Sequence, residues 1–279
     1  MTPRIDVVEL PGRVKLPYAE QGDSSGVPVL LLHGYTDSWR SFEGVLPHLP
    51  EAIRAFVPSQ RGHGDADRPM TGYRPHDFAA DVAAFMDALA IESAVVAGHS
   101  MGSCIAQRFA TDYPDRVRGL VLMGAFKTLR GNPVLLELWD SLVSTLADPI
   151  DPGVVLEFQQ STLARPVSRA FLDTVVQESL KVPARVWRAA FEGLLEADFS
   201  REFAHVRAPT LILWGDRDEV APRSEQESLA VAIAGSRLVA YPGAGHGFHW
   251  EEPERFAADL VAFVESLDGR GLGGRRSAA

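Results

Sequence analysis

The sequence predicts an α/β fold: a mostly parallel central sheet of about eight strands, flanked by helices and carrying an inserted helical cap. Three observations carry this expectation. Short bursts of apolar β-formers recur along the chain with helical stretches between them. Several bursts are continuous rather than alternating, notably Val29-Leu30-Leu31-Leu32 and Thr210-Leu211-Ile212-Leu213-Trp214, as expected of strands covered on both faces. Between residues 126 and 206 the alternation stops and no strand burst occurs.

In order, the strand bursts fall at 5–10, 27–32, 54–57, 93–97, 119–123, 210–214 and 237–241. The helices show the matching 3.6-residue period. Phe78, Val82, Phe85, Met86 and Leu89 share one face, as do Phe256, Leu260, Phe263, Val264 and Leu267. Pro253 stands where a first helical turn accepts proline. The strand-free block holds four helical stretches, roughly 133–147, 151–164, 167–181 and 183–197, punctuated by Pro149, Pro152, Pro166 and Pro183. It is too long for a loop and reads either as a helical decoration or as a lid. The expected core is therefore 1–125 with 207–268, and the cap 126–206. The Gly- and Arg-rich stretch 269–279 is expected to be a disordered tail.

The 279 residues are 46% apolar and 23% charged, enough to build a sizeable core. A net charge of −10, from 27 basic and 37 acidic residues, argues against a nucleic-acid partner, because phosphate backbones need a basic face. No apolar run approaches the roughly 18 residues of a membrane helix, and the first residues lack a signal-peptide layout, so no membrane association is expected. The single cysteine, Cys104, rules out an intramolecular disulfide and a Cys-rich zinc site. The chain reads as cytoplasmic.

The decisive segment is Val95-Val96-Ala97-Gly98-His99-Ser100-Met101-Gly102-Ser103, a strand burst running into Gly-x-Ser-x-Gly with a helix over 104–113 directly after it. A serine on so sharp a strand-to-helix turn sits in strained backbone, so the positions two before and two after must lack bulk. The turn lifts the hydroxyl above the sheet. It also leaves the Met101 N–H at a helix N-terminus, where developing negative charge is favoured. The strand Leu30-Leu31-Leu32 ends at His33-Gly34-Tyr35, a loop placed to give a second oxyanion donor through the Tyr35 N–H. The His33 side chain reads as a loop brace. Past the 210–214 burst stand Asp216, Asp218 and Glu219, where open α/β sheets place their sites. After the last burst, Gly243-Ala244-Gly245-His246-Gly247 delivers a histidine on a glycine-rich loop. Serine, acid, histidine is the order this scaffold uses.

Taken together, His33-Gly34, Arg61-Gly62-His63-Gly64, Gly98-His99-Ser100-Met101-Gly102, Gly215-Asp216-Arg217-Asp218 and Gly245-His246 resemble the α/β-hydrolase fold superfamily. The likeness is to a cap-bearing serine esterase or lactonase and runs over about residues 5–267. The resemblance implies Ser100 as nucleophile, Asp218 as acid and His246 as base, with the Tyr35 and Met101 N–H groups as oxyanion donors and no cofactor or metal. One departure is visible: relatives commonly carry Asp where this chain has Ser59. Asp216 then reads as a turn brace. His63, His99 and His249 read as packed or hydrogen-bonded residues, and Cys104 as a small core residue. Gly269-x-Gly271-x-x-Gly274 matches a dinucleotide fingerprint but follows a helix rather than a strand, so it fails its structural test.

The expected reaction is hydrolysis of a small to medium apolar ester or lactone. Carbon–carbon bond hydrolysis and cofactor-free perhydrolysis use the same triad, and a ligand receptor on this scaffold is a further reading. Of Trp139, Phe158, Phe171, Trp187 and Phe191 in the insertion, most are expected to bind cap to core and a minority to line an apolar pocket. Arg165, Arg169, Arg185 and Arg188 are spaced like exposed helix charges.

Overall fold

The computed structural model describes residues 2–12 and 14–271. Eight strands form one sheet in the order β1-β2-β4-β3-β5-β6-β7-β8. They are β1 (Arg4–Glu9), β2 (Lys15–Gln21), β3 (Val27–Leu32), β4 (Ile53–Pro58), β5 (Ala94–His99), β6 (Val117–Met123), β7 (Thr210–Gly215) and β8 (Arg237–Tyr241). The β1–β2 and β2–β4 pairs are antiparallel, and all pairs from β4 through β3 to β8 are parallel. Seven of the strands coincide with the apolar bursts. β2 does not announce itself, because Pro17 removes a ladder donor and only part of the strand is buried.

The continuous apolar strands do serve two cores. Leu30, Leu32, Val96 and Leu122 pack on one side of the sheet with Phe85 and Phe109. Those partners lie on α1 (Pro75–Ala88) and α2 (Met101–Asp112). Val29, Leu31, Val95 and Val121 face the other side, against Phe256, Leu260 and Phe263 of the terminal helix α9 (Pro253–Gly271). That helix continues past 268, where the tail was expected to begin, since an isolated glycine costs a helix only about 1 kcal/mol. The rest of the expected tail, 272–279, lies outside the described residues. Among the described residues no helix is long and apolar enough to cross a membrane.

The insertion between β6 and β7 contains α3 (Pro133–Ser141), α4 (Pro152–Ser161), α5 (Arg169–Leu180) and α6 (Ala184–Leu195). Asn132, Asp151 and Ser168 cap three of these helices through their side chains, each such cap contributing about 1 kcal/mol. The insertion is seated on the sheet domain at Gly193, where a Cβ would lie 2.4 Å from the Tyr73 carbonyl oxygen. Arg185 and Arg188 depart from the expectation of free surface charges. Both are half-buried, Arg185 donating to the Arg68 and Pro69 carbonyls and Arg188 to that of Leu146. Between α7 (Arg223–Ala232), which joins β7 to β8, and α9 lies the short α8 (Phe248–Glu251).

Because Leu31 is fully buried between β3 and the α9 side, Leu31→Ala should cost about 2–5 kcal/mol of stability in urea unfolding. A loss below about 1 kcal/mol would contradict this description of the core.

Candidate active site

The sharp turn expected at Ser100 is present. Ser100 has φ 53° and ψ −114° between β5 and α2, and its N–H donates to the Met123 carbonyl at 2.9 Å. The two flanking glycines have the expected role, with visible causes. A Cβ on Gly98 would lie 2.0 Å from the Gly102 carbonyl oxygen, and one on Gly102 would lie 2.2 Å from that of Leu32. Both neighbours are backbone, so neither can swing aside.

His33 braces the next loop. The Gln60 N–H donates to His33 Nε2 at 2.9 Å, which makes Nδ1 the protonated nitrogen, 2.9 Å from the Gly34 carbonyl. Burial, aided by the nearby His63, holds its pKa well below the ordinary value and keeps it neutral. Tyr35 and Met101 follow the two strand ends and line one cavity with Ser100 and His246. Among the described residues no acceptor takes the N–H of Tyr35 or of Met101.

Asp218 and His246 form a buried pair, with His246 Nδ1 2.7 Å from Asp218 Oδ2. Asp218 Oδ1 accepts from the N–H groups of Val220 and Ala221 at 2.9 and 2.8 Å, so the carboxylate is fixed at both oxygens. The arrangement makes Nδ1 the donor and leaves Nε2 for proton transfer. No hydrogen bond joins Ser100 Oγ to His246 among the described contacts. Such bonds commonly tighten only with substrate bound. Asp216 does brace a turn, accepting the Gly243 N–H at 2.6 Å, and Glu219 is exposed.

The remaining histidines have structural partners. His99 Nε2 lies 3.0 Å from the His246 carbonyl, His63 Nδ1 lies 2.8 Å from that of Arg61, and His249 Nε2 lies 3.2 Å from Ser41 Oγ. Burial drives His63 down to about 4 and His249 to about 3. Cys104 is buried and its thiol is pushed up to about 12 by desolvation, which leaves it unreactive.

The cavity holds about 330 Å³ and has largely apolar walls, including Phe126, Leu135, Leu138, Phe158, Phe191 and Leu194. Of the five insertion aromatics, Phe158 and Phe191 line it. Trp187 is fully buried against Tyr35, Trp139 stacks on Phe191, and Phe171 packs on Trp250.

Two residues of the site escape the sequence reading. Gly124 (φ 53°) follows β6, and a Cβ there would lie 2.9 Å from His246 Cε1 and 3.4 Å from Asp218 Oδ2. Its one sequence signal is a glycine directly after an apolar burst. Asp37 lines the cavity while only 3% exposed. Desolvation raises its carboxyl from 3.8 to about 7 against the opposing pull of Gln159 and His246.

The arrangement of strand, elbow, acid and histidine is matched in known proteins. The family model of the alpha/beta hydrolase fold matches residues 27–253. A non-heme chloroperoxidase of Streptomyces lividans is 30% identical over 267 residues, covering 89% of this chain and 95% of the relative. A bifunctional esterase/perhydrolase of Acinetobacter calcoaceticus is 28% identical, covering 91% and 97%. A thermophilic esterase from Thermogutta terrifontis superposes with a TM-score of 0.82 at 26% identity, covering 95% of this chain and 99% of that one. The chain belongs to the alpha/beta hydrolase fold family.

Gly124→Ala should push the His246–Asp218 pair aside and lower kcat on any substrate turned over by roughly 10- to 100-fold, since small misplacements of reacting groups cost about that much. An unchanged kcat would show that the pair yields without cost. Asp37 also makes a pH prediction. Between about pH 4 and 7 the folded chain keeps a proton on Asp37 that the unfolded chain has released, so this group's contribution to stability falls as pH rises through that window. The neutral buried histidines act oppositely below about pH 6.5, where only the unfolded chain binds their protons. Comparing wild type with Asp37→Asn isolates the carboxyl. From pH 5 to pH 7.5 the variant should gain roughly 2 kcal/mol relative to wild type in urea unfolding. A pH-independent difference would contradict the assignment.

Proposed function

We propose that the chain is a serine hydrolase that cleaves a small to medium apolar carboxylic ester or lactone through an acyl-enzyme. The observation that carries this reading is the buried His246–Asp218 pair, joined at 2.7 Å, opening on the same apolar cavity as the elbow serine. His246 Nε2 takes the Ser100 proton as Oγ attacks the substrate carbonyl carbon. Asp218 keeps the proton on Nδ1 and stabilises the imidazolium that forms. The N–H groups of Tyr35 and Met101, which have no acceptor of their own, bind the oxyanion. Removing one such donor typically costs about 10²–10³ in rate. Collapse of the intermediate expels the alcohol oxygen, which takes its proton from His246. Water then attacks the acyl carbon, giving its proton to His246, and the acid leaves as Ser100 recovers its own. This chemistry needs no cofactor or metal.

Residues 126–206 act as the lid in this reading, because Phe158 and Phe191 of the insertion wall the cavity. The cytoplasm is the proposed compartment, on the single, buried cysteine. A second reading has one supporting observation, the relative named as an esterase and perhydrolase. Hydrogen peroxide in place of water at the second step would yield a peracid from the same acyl-enzyme.

The test is turnover of a short-to-medium p-nitrophenyl ester series and a lactone panel, with and without peroxide. Wild type should hydrolyse them, and Ser100→Ala should lose at least roughly 10³-fold in kcat/KM. Turnover that survives Ser100→Ala would end the mechanism. Absence of any turnover would move the assignment to carbon–carbon cleavage or to ligand binding.

A further inference from the structure

Three successive residues after Gly34 are each tied to a different helix of the insertion. The Tyr35 hydroxyl donates to the Trp187 carbonyl of α6 at 2.7 Å. Thr36 Oγ1 lies 3.1 Å from Ser179 Oγ of α5. The Gln159 Nε2 of α4 reaches Thr36 Oγ1 at 3.4 Å, Asp37 Oδ1 at 3.1 Å and Ser179 Oγ at 2.7 Å. All these side chains are buried, Gln159 and Ser179 to within 1%. A glutamine amide sunk this deeply is costly to leave without partners, so the cluster holds together as a unit.

What the cluster grips is strained. Thr36 has φ 68°, a left-handed backbone that a β-branched residue adopts only when its surroundings enforce it. It directly follows Tyr35, whose N–H stands at the cavity without an acceptor. Relaxing Thr36 to negative φ would rotate the adjoining peptides and turn that N–H out of line. The sheet domain offers this segment little of its own. The Asp37 N–H reaches the Gly34 carbonyl at 3.3 Å, and Ser41 Oγ reaches Asp37 Oδ2 only at 3.5 Å.

We propose that Gln159 and Ser179 are positioning residues of the reaction: from the insertion they hold Thr36 in its strained conformation and so aim the Tyr35 N–H at the oxyanion. The inference rests on the hydrolase reading above and extends it. The insertion then does more than wall the cavity; it completes the oxyanion site, and hydrolysis requires it to be docked. Because the oxyanion exists only in the transition state, loss of this support acts on kcat rather than on ground-state binding.

The experiment compares Gln159→Leu, Ser179→Ala and Thr36→Val with wild type on one p-nitrophenyl ester that wild type hydrolyses. Gln159→Leu and Thr36→Val should lower kcat by roughly 10- to 100-fold with KM changed by less than about 3-fold. Glycine populates positive φ freely, so adding Thr36→Gly to Gln159→Leu should recover most of the lost kcat. Ser179→Ala, the smallest change, should show the same direction and serves if Gln159→Leu fails to fold. Unchanged kcat, a loss confined to KM, or failure of glycine to rescue would each overturn the proposal. If wild type hydrolyses no ester at all, the hydrolase reading fails first, which is a distinguishable result.

Discussion

The left-handed backbone at Ser100 is the constraint on which the rest of the molecule depends. A non-glycine residue at φ 53° is unfavourable, and here it is imposed from several directions. β5 is paired on both sides by parallel strands, α2 begins at the next residue, and the Ser100 N–H is bound to the Met123 carbonyl of β6. The turn can close only because Gly98 and Gly102 let backbone meet backbone at separations no side chain would permit. The parallel sheet, with two apolar cores on its faces, is therefore the frame that holds one serine hydroxyl at a cavity. Strain of this kind persists where the surroundings over-determine it, and it concentrates at functional sites.

A second strained position stands across the cavity at Thr36, and the two are maintained differently. Ser100 is fixed by the sheet and its following helix. Thr36 is held by side chains from helices inserted late in the chain. The scaffold thus splits its work, with the nucleophile on rigid strands and one oxyanion donor on a loop that answers to the insertion. The acid and base take an intermediate course. Asp218 is secured by two N–H groups just past β7, while His246 rides a glycine-rich loop that Asp216 pins through Gly243.

Much of this was legible in the sequence because the informative residues report local constraints. Continuous apolar bursts reveal strands buried on both faces, and Gly-x-Ser-x-Gly between burst and helix reveals the elbow. The triad order, the brace role of His33 and the helical insertion could be read in the same way. The missed features share a physical reason: they depend on contacts distant along the chain. β2 carries Pro17 and mixed polarity, so only its pairing with β4 makes it a strand. Gly124 matters because His246, more than 120 positions on, packs against its bare Cα. Asp37 looks like an ordinary loop acid until Gln159 and the cavity wall enclose it. Arg185 and Arg188 have surface spacing but find carbonyls once the insertion docks.

The central claim is that Ser100 carries the acyl group, and rapid-quench mass spectrometry tests it most directly. The protein is mixed with excess p-nitrophenyl acetate, quenched in acid within the first turnover, digested and mapped. The account predicts one acetyl group on the peptide containing Ser100, formed with the initial release of p-nitrophenol and absent from Ser100→Ala. Acetylation confined to another residue, or ester turnover accompanied by no covalent adduct while Ser100→Ala stays active, would contradict it.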